Sequence, residues 1–329
     1  MTKTAVVILN YNGEGYLKKF LPTILENSGK AEIMVADNNS SDSSIGMLKR
    51  DFPTVRIILL EKNYGFAEGY NRALEKVEAP YIVLLNSDIE VTPKWLLPLT
   101  KFLDNNSSYA ACQPKIKDYK HRDTFEYAGA SGGFIDSLGY PFCRGRIFDK
   151  IEKDTGQYDE PIDIFWATGA CLMIRSDLFK KSGGLDPDFF AHMEEIDLCW
   201  RIQSLGYKIK AIPTSEVYHV GGGTLSKLSP FKTYLNFRNG LFILLKNLPT
   251  VELIAKLPMR IFLDWIAALK FIMEGNVKHG MAVWKAHIMV IAKFYQTVRK
   301  RKYVSSPSFK GVILLKYYLR RKQKFSDLQ

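Results

Sequence analysis

The stretch FFAHMEEIDLCWRIQSLGYKI, residues 189–209, sets three carboxylates, Glu194, Glu195 and Asp197, within four positions. Ile196, Cys199, Ile202 and Leu205 recur every three residues behind them, so the spacing predicts a helix with one face packed inward. Acids this close raise one another's pKa and weaken a helix. Two readings stand: the acids complement the helix N-terminal dipole, or one of them is a base that takes a proton during a reaction. A second candidate lies in LLNSDIEV, residues 84–91. Asp88 leaves an apolar run among Asn and Ser, placed to hold a hard divalent cation, with Asn86 two positions earlier on the same side. Asn-Ser-Asp is also ordinary turn chemistry. A third is VYHVGGGT, residues 217–224. His219 precedes three glycines, where backbone can approach a phosphate and imidazole can reach a metal, or where a histidine is merely structural.

These residues need a scaffold, and the first half of the chain supplies one. Short apolar runs over 4–11, 32–39, 55–63 and 81–91 alternate with helical patterns over 15–25, 44–52 and 66–77. That alternation predicts a parallel, doubly wound α/β sheet, which binds ligands outside the carboxyl ends of its strands. Each run ends in polar residues: Asn10 to Asn12, Asp37 to Asn39, Asn63, and Asn86 to Asp88. Residues 105–160 are rich in Gly and Tyr and read as loops and short antiparallel strands. An apolar strand resumes at 163–175, ahead of the acidic helix.

Charge divides the chain. Residues 241–329 hold 17 Lys and Arg against 4 Asp and Glu, whereas residues 1–240 hold 29 against 30. An anionic surface is the expected partner of that basic end. In LIAKLPMRIFLDWIAALKFIM, residues 253–273, Lys256, Arg260 and Asp264 fall four apart in a narrow charged stripe, and nearly everything else is apolar. The charges interrupt the run too often for a spanning helix. The pattern fits a helix lying in a membrane interface, or one packed on the protein's own core. The clusters VRKRKYV (298–304) and KYYLRRKQK (316–324) point to anionic lipid, and no nucleic-acid-binding motif accompanies them.

Other classes are excluded. The four cysteines form no CxxC pair or Cys/His cluster, which argues against a zinc site or a disulfide framework. GxGxxG does not follow the first strand and GxxxxGK[ST] occurs nowhere, so dinucleotide and P-loop readings fail. The opening MTKTAVVILNYN lacks the apolar length and cleavage site of a signal peptide, so a cytoplasmic location is expected.

In order, VVILNYN, VADNNSSDSS, NYGFAEGYNRAL, IVLLNSDIEV, the long block from TGACLMIR to RIQSLGY, and VYHVGGGT resemble family 2 glycosyltransferases, in particular rhamnosyl- and galactofuranosyltransferase-like members. The resemblance spans residues 4–224. It implies a GT-A fold over residues 1–230, in which a mostly parallel nucleotide-binding sheet merges with a smaller mixed acceptor region. Residues 231–329 would then be basic amphipathic helices for membrane association or acceptor contact.

It also implies transfer of a sugar from a nucleotide diphosphate donor, with uracil or thymine as base, to an acceptor hydroxyl, with inversion and with Mg²⁺ or Mn²⁺. The acceptor would be a saccharide or lipid-linked saccharide in cell-surface polysaccharide synthesis, met on the inner face of the cell membrane. By the same resemblance Tyr11 lies against the base, Asp37 bonds base or ribose, and Asn63, Gly65, Asn71 and Asn86 line the donor. Asp88 matches the last acid of the metal motif, and His219 a histidine that joins the metal. Glu194 and Glu195 match the acidic pair carrying the catalytic base, with Glu195 as that base. Asp197 supports the helix start or contacts acceptor, and Trp166 and Thr168 help form the sugar pocket. Position 86 is Asn where the fullest metal motif has Asp, which removes one charged ligand. The alternatives are a non-catalytic nucleotide-sugar or carbohydrate-binding protein on the same fold and, behind it, a nucleotidyltransferase.

Overall fold

A computed structural model describes residues 3–221, 229–302, 304–306, 309 and 311–328. Gly222, Gly223 and Thr224 of the Gly-rich stretch and Tyr303 of the first basic cluster lie outside the described residues. The order begins β1 (Thr4–Asn10), α1 (Glu14–Asn27), β2 (Glu32–Asp37), α2 (Ser44–Asp51), β3 (Arg56–Leu59), α3 (Gly65–Leu74) and β4 (Tyr81–Asn86). The run expected as one strand over 81–91 is broken at Ser87–Asp88, and a separate β5 (Ile89–Val91) follows. After α4 (Leu96–Asn105) come β6 (Tyr109–Asp118), the short β7 (Gly133–Ile135), β8 (Pro141–Cys143), β9 (Arg146–Ile147), β10 (Lys150–Ile151) and β11 (Ile162–Asp163). Then follow β12 (Cys171–Arg175), α5 (Ser176–Lys181), α6 (Glu194–Ser204) and β13 (Lys208–His219). The C-terminal helices are α7 (Pro230–Asn247), α8 (Thr250–Met273), α9 (Val277–Ala292) and α10 (Phe294–Val298).

The main sheet runs β11-β13-β6-β12-β4-β1-β2-β3, with β5 added on β13. The β4-β1-β2-β3 half is parallel, as the α/β alternation requires, while β12 lies antiparallel between β4 and β6. Strands buried on both faces alternate their side chains between two cores. Val7, Met34, Ala36 and Leu84 enter one; Val6, Ile8, Val35 and Val83 enter the other. Register decides what happens at the strand ends. Asn10 stands beside Asp37, and Leu9 beside Asn86, so the polar ends of β1, β2 and β4 reach one level.

The C-terminal helices are not an appendage hung on a finished domain. Phe242, Ile243, Leu244 and Leu248 of α7 belong to the same core as β1 and β2, as do Ile313, Tyr317 and Phe325. Residue 230 therefore marks where a helix starts, with no break in the core there.

Helix α8 is turned inside out relative to ordinary amphipathic packing. Arg260 and Asp264 of its charged stripe are buried, bonded to each other at 2.8 Å. The Arg260 guanidinium also donates to the Leu138 carbonyl, and Tyr140 Oη donates to Asp264. Gly240 of α7 admits this guanidinium, since a Cβ there would stand 2.7 Å from Arg260 Nη2. With the charges inside, the apolar arc is outside: Ile254 is 71% exposed, Phe262 60%, Leu269 57% and, on α9, Ile288 61%. Among the described residues no helix is long and apolar enough to cross a membrane.

Candidate functional site

At the ends of β1 and β2 the loops are knitted together by their own polar residues. Asn10 Nδ2 donates to Asp37 Oδ1 at 3.0 Å, and the Ser40 amide donates to Asp37 Oδ2 at 2.9 Å. Asp37 is almost fully buried, so its carboxylate shapes the loop, while Tyr11 beside it remains 46% exposed. Asn63 Oδ1 accepts from Asn38 Nδ2 and from the Gly65 amide, which fixes the turn into α3. Gly65 opens that helix at φ +75°, and its carbonyl accepts from Asn38.

Asp88 follows β4 and His219 ends β13, and the β13–β5 pairing brings the two together. Asp88 Oδ1 lies 3.1 Å from His219 Nε2, and Asn86 Nδ2 lies 3.5 Å from the same nitrogen. Behind the ring, His219 Nδ1 lies 3.4 Å from Glu126 Oε1 without forming a hydrogen bond. Burial alone would push this imidazole down, but the Glu126 and Asp88 carboxylates outweigh it and carry it up to about 10. Burial likewise works to raise the Asp88 carboxyl, and the facing His219 overcomes that and holds it below the usual range. Among the described residues no three His, Cys, Asp or Glu side chains converge as a complete metal-ligand set. The convergent donors are one carboxylate and one imidazole, with the Asn86 amide next to them.

The third group is the start of α6. Met193 occupies the N-cap position at φ +70°, His192 stands at +68° and Phe190 at +64°. Three non-glycine residues in the left-handed region store strain that the surroundings must hold, of order 1–3 kcal/mol each. Helix α7 does much of the holding. Asn239 Nδ2 donates to the carbonyls of Phe189, Ala191 and His192 at 3.1, 3.0 and 2.7 Å. Arg238 Nη2 donates to the carbonyls of Asp188 and Phe189, both at 2.9 Å. From the other side the amides of Phe66 and Ala67 donate to the Phe190 carbonyl.

This loop delivers Glu194 and Glu195 with little to satisfy them. One carboxylate oxygen of each is buried without a hydrogen-bond partner. Such orphans are uncommon and call for an explanation. Burial pushes the Glu195 carboxyl up to about 7, against backbone N–H groups of the helix start and of Gly169 that pull it down. Glu194 is raised well above its ordinary range by burial and by Glu195 beside it. Gly169 also ties this group to the metal-side pair. A Cβ at 169 would stand 3.8 Å from Glu195 Cβ, and the next residue, Ala170, accepts the Asn86 amide through its carbonyl at 2.9 Å. One step of backbone thus joins the acid pair to the end of β4.

Two expectations need correction. Asp197 is fully buried and accepts from Arg201 at 2.9 Å, Lys246 at 2.8 Å and Asn247 at 2.9 Å. Burial would raise its carboxyl; the cations of Lys246 and Arg201 hold it far below the usual range instead. Asp197 anchors α6 to α7 and is closed to any acceptor. Asn71 does not face the strand ends, since its amide is spent on the Leu185 backbone, donating to the carbonyl and accepting from the amide. Trp166 and Thr168 are buried. The indole donates to the Phe134 carbonyl at 2.8 Å, and the Thr168 amide to Gln113 at 3.0 Å. Sequence reasoning missed Glu126, Arg238, Asn239, Lys246 and Asn247. The last four carried a signal: two polar pairs eight residues apart inside the apolar run of PFKTYLNFRNGLFILLKN.

Comparison with known proteins places this geometry in context. Residues 5–183 match the family described as glycosyl transferase family 2. An N-acetylglucosaminyl-diphospho-decaprenol L-rhamnosyltransferase of Mycobacterium tuberculosis is 24% identical over 233 residues, 65% of this chain and 75% of that protein. Among solved structures, residues 1–349 of S. aureus TarS in complex with UDP-GlcNAc superpose with a TM-score of 0.57 at 16% identity, covering 90% of this chain and 81% of that one. The mannosyltransferase PcManGT from Pyrobaculum calidifontis, in complex with GDP-Man and Mn²⁺, gives 0.54 at 14%, covering 91% and 84%. At these identities the structural likeness shows a shared fold, the GT-A arrangement of a mostly parallel sheet.

Proposed function

Since the chain belongs to glycosyl transferase family 2, we propose that it transfers a sugar, with inversion, from a nucleotide diphosphate donor to a hydroxyl of a lipid-linked saccharide at a membrane surface. The observation that carries this reading is the half-buried Glu195 carboxylate, one oxygen of which is buried without a hydrogen-bond partner, beside Gly169 and so next to the residue bonded to the end of β4. A sugar hydroxyl is a weak nucleophile and must lose its proton as it attacks the anomeric carbon. Glu195 takes that proton, a role typically worth about 10²- to 10⁴-fold. A carboxyl lifted to about 7 is a stronger base than an ordinary glutamate and is still substantially ionised at neutral pH. Glu194, held neutral more firmly, keeps the neighbouring charge from being doubled.

The donor side follows from the strand ends. The exposed Tyr11 ring offers a face to the base, and the loop built on Asp37, Asn63 and Gly65 shapes the space beside it. A uracil or thymine base fits the resemblance of this loop to the family. Asp88 Oδ1 and His219 Nε2 fit a hard divalent cation such as Mg²⁺ or Mn²⁺. These two atoms, 3.1 Å apart, would be its ligands from this chain. When bound, such an ion offsets the negative charge growing on the departing diphosphate. His219 must then be neutral, so the Glu126 and Asp88 carboxylates that favour its proton also make it compete with the ion. With base and diphosphate on opposite faces of the sugar, one displacement inverts the anomeric centre and no protein nucleophile is needed.

The acceptor side rests on α8 and α9. A helix pair with Arg260 and Asp264 buried and a wide apolar arc in water loses stability unless something covers the arc. Exposed Lys270, Lys278, Lys285 and Arg299 share this region, which suits an interface with anionic lipid. The relative from Mycobacterium tuberculosis is named for a decaprenol-linked substrate, which supports a lipid-linked acceptor and a peripheral location on the inner face of the cell membrane. The test is a panel of dTDP- and UDP-sugars, with and without Mn²⁺, offered with N-acetylglucosaminyl diphosphate lipid as acceptor. Transfer with inverted anomeric configuration is expected. The absence of both transfer and nucleotide diphosphate release with every donor would refute the reading.

A further inference from the structure

The acid pair is carried on a loop that does not keep its shape alone. Phe190, His192 and Met193 all sit at positive φ, between +64° and +70°, where side chains strain the backbone. Two grips hold them there. At the start of α3, the amides of Phe66 and Ala67 donate to the Phe190 carbonyl. From α7, Arg238 bonds the carbonyls of Asp188 and Phe189, and Asn239 those of Phe189, Ala191 and His192.

Asn239 is fully buried, and its side chain has one workable orientation. Nδ2 carries two hydrogens, which the three carbonyls at 3.1, 3.0 and 2.7 Å share. Oδ1 accepts from Arg238 Nε at 2.9 Å. Turned over, the amide would set its oxygen against three carbonyl oxygens and its nitrogen against a guanidinium. Arg238 therefore aims Asn239, and Asn239 holds the loop. Their bonds to the loop all go to backbone carbonyls, so they act on Glu195 through the chain that leads into α6.

The rest of α6 is moored separately. Asp197 joins it to Lys246 and Asn247 further along α7, and Arg201 donates to the carbonyls of Ser182 and Gly184. Loss of the Asn239 bonds thus leaves the helix in place and frees its first turn, which carries Glu194 and Glu195. The strained residues would relax toward negative φ, and the Glu195 carboxylate would move with them. A displacement of about 1 Å costs on the order of 10²-fold when a proton acceptor must meet one hydroxyl.

We propose that Asn239, aimed by Arg238, is the positioning residue for Glu195. Helix α7, which lies beyond the residues 5–183 that match the family, then completes the active site. This rests on Glu195 as the proposed base.

The test is a double-mutant cycle in the full-length protein. Turnover is read as transfer from the donor active in the panel above to N-acetylglucosaminyl diphosphate lipid, and the donor site is checked by UDP or dTDP affinity. Asn239→Ala should lower kcat by about 10²-fold and leave nucleotide affinity and the acceptor KM within about twofold. In a Glu195→Gln background the same substitution should cost less than about threefold, because no base is left to misplace. Arg238→Met keeps the aliphatic stem and removes the aiming bond. It should repeat the pattern with a smaller loss of kcat, and it decides the matter if Asn239→Ala does not fold. An equal loss with and without Glu195, a parallel fall in nucleotide affinity, or an unchanged kcat overturns the positioning role and leaves Glu195 as the base. If Glu195→Gln itself keeps full turnover, the proposed base falls, and the role of Asn239 with it.

Discussion

The start of α6 and the pair α8–α9 break the same rule in opposite directions. At α6, Glu194 and Asp197 are buried and Glu195 is half-buried, and only Asp197 receives counterions, from Arg201 and Lys246. At α8 the ion pair Arg260–Asp264 is also buried, but the side chains left in water are Ile254, Phe262 and Leu269. The first site conceals charge and the second displays hydrocarbon. Neither arrangement helps the isolated chain to fold, because buried unpaired carboxyls and wet apolar arcs both cost free energy. What separates the groups, within each region, is whether a cation faces them inside the protein: Asp197 faces Arg201 and Lys246 and Asp264 faces Arg260, whereas Glu194 and Glu195 face no cation among the described residues and the apolar arc has no protein cover.

The comparison breaks most visibly at Glu195. Glu195→Gln keeps shape and removes the base, so transfer should fall by about 10²- to 10⁴-fold, with donor affinity measured by calorimetry changed less than about twofold. A Gln variant of near-normal turnover would reduce the α6 orphans to a packing feature.

The second break is at the display side. Phe262→Ser and Ile288→Ser together should weaken binding to vesicles of one-third anionic lipid by roughly thirtyfold to a thousandfold, at about 1–2 kcal/mol per side chain withdrawn. Thermal stability should hold, since neither residue packs on the core. Sedimentation with vesicles unaltered by the double variant would mean that the arc covers something other than lipid.

The smallest effect sharpens the α6 half. Glu194 and Glu195 have folded-state pKa values raised above the ordinary 4.5 of the unfolded chain. The folded state therefore binds more protons than the unfolded one through that window, and stability falls as pH rises from about 4.5 through 7 and beyond. Glu194→Gln removes one source of this loss. Its melting temperature should exceed that of the unaltered protein by a few degrees at pH 8, with the gap closing near pH 4.5. A gap of constant size across that range would show that the carboxyl is not held protonated.

Much of this was legible beforehand, and the failures have a common cause. Parallel strands buried on both faces announce themselves as short apolar runs, and the polar ends of β1, β2 and β4 do reach one level. The acid pair was visible because three like charges in four positions are conspicuous. Of the two roles expected for Asp197, helix support stands and acceptor contact fails, because its partners Lys246 and Asn247 lie about fifty positions away in the chain. Asn71 was misjudged for the same reason, its partner Leu185 being 114 positions away. For α8, periodicity correctly yielded a narrow charged stripe and a wide apolar arc, but a period has no sense of direction. Only the contacts to Leu138, Tyr140 and Gly240 settle that the stripe faces in.

The dependence of residues 189–193 on Asn239 has a temporal side. A ribosome completes every strand of the main sheet by His219, yet the clamp that bends Phe190, His192 and Met193 into place has not been made. Helix α7 also supplies part of the core shared with β1 and β2, so the acid pair takes its final backbone position only after that helix has been made and has docked.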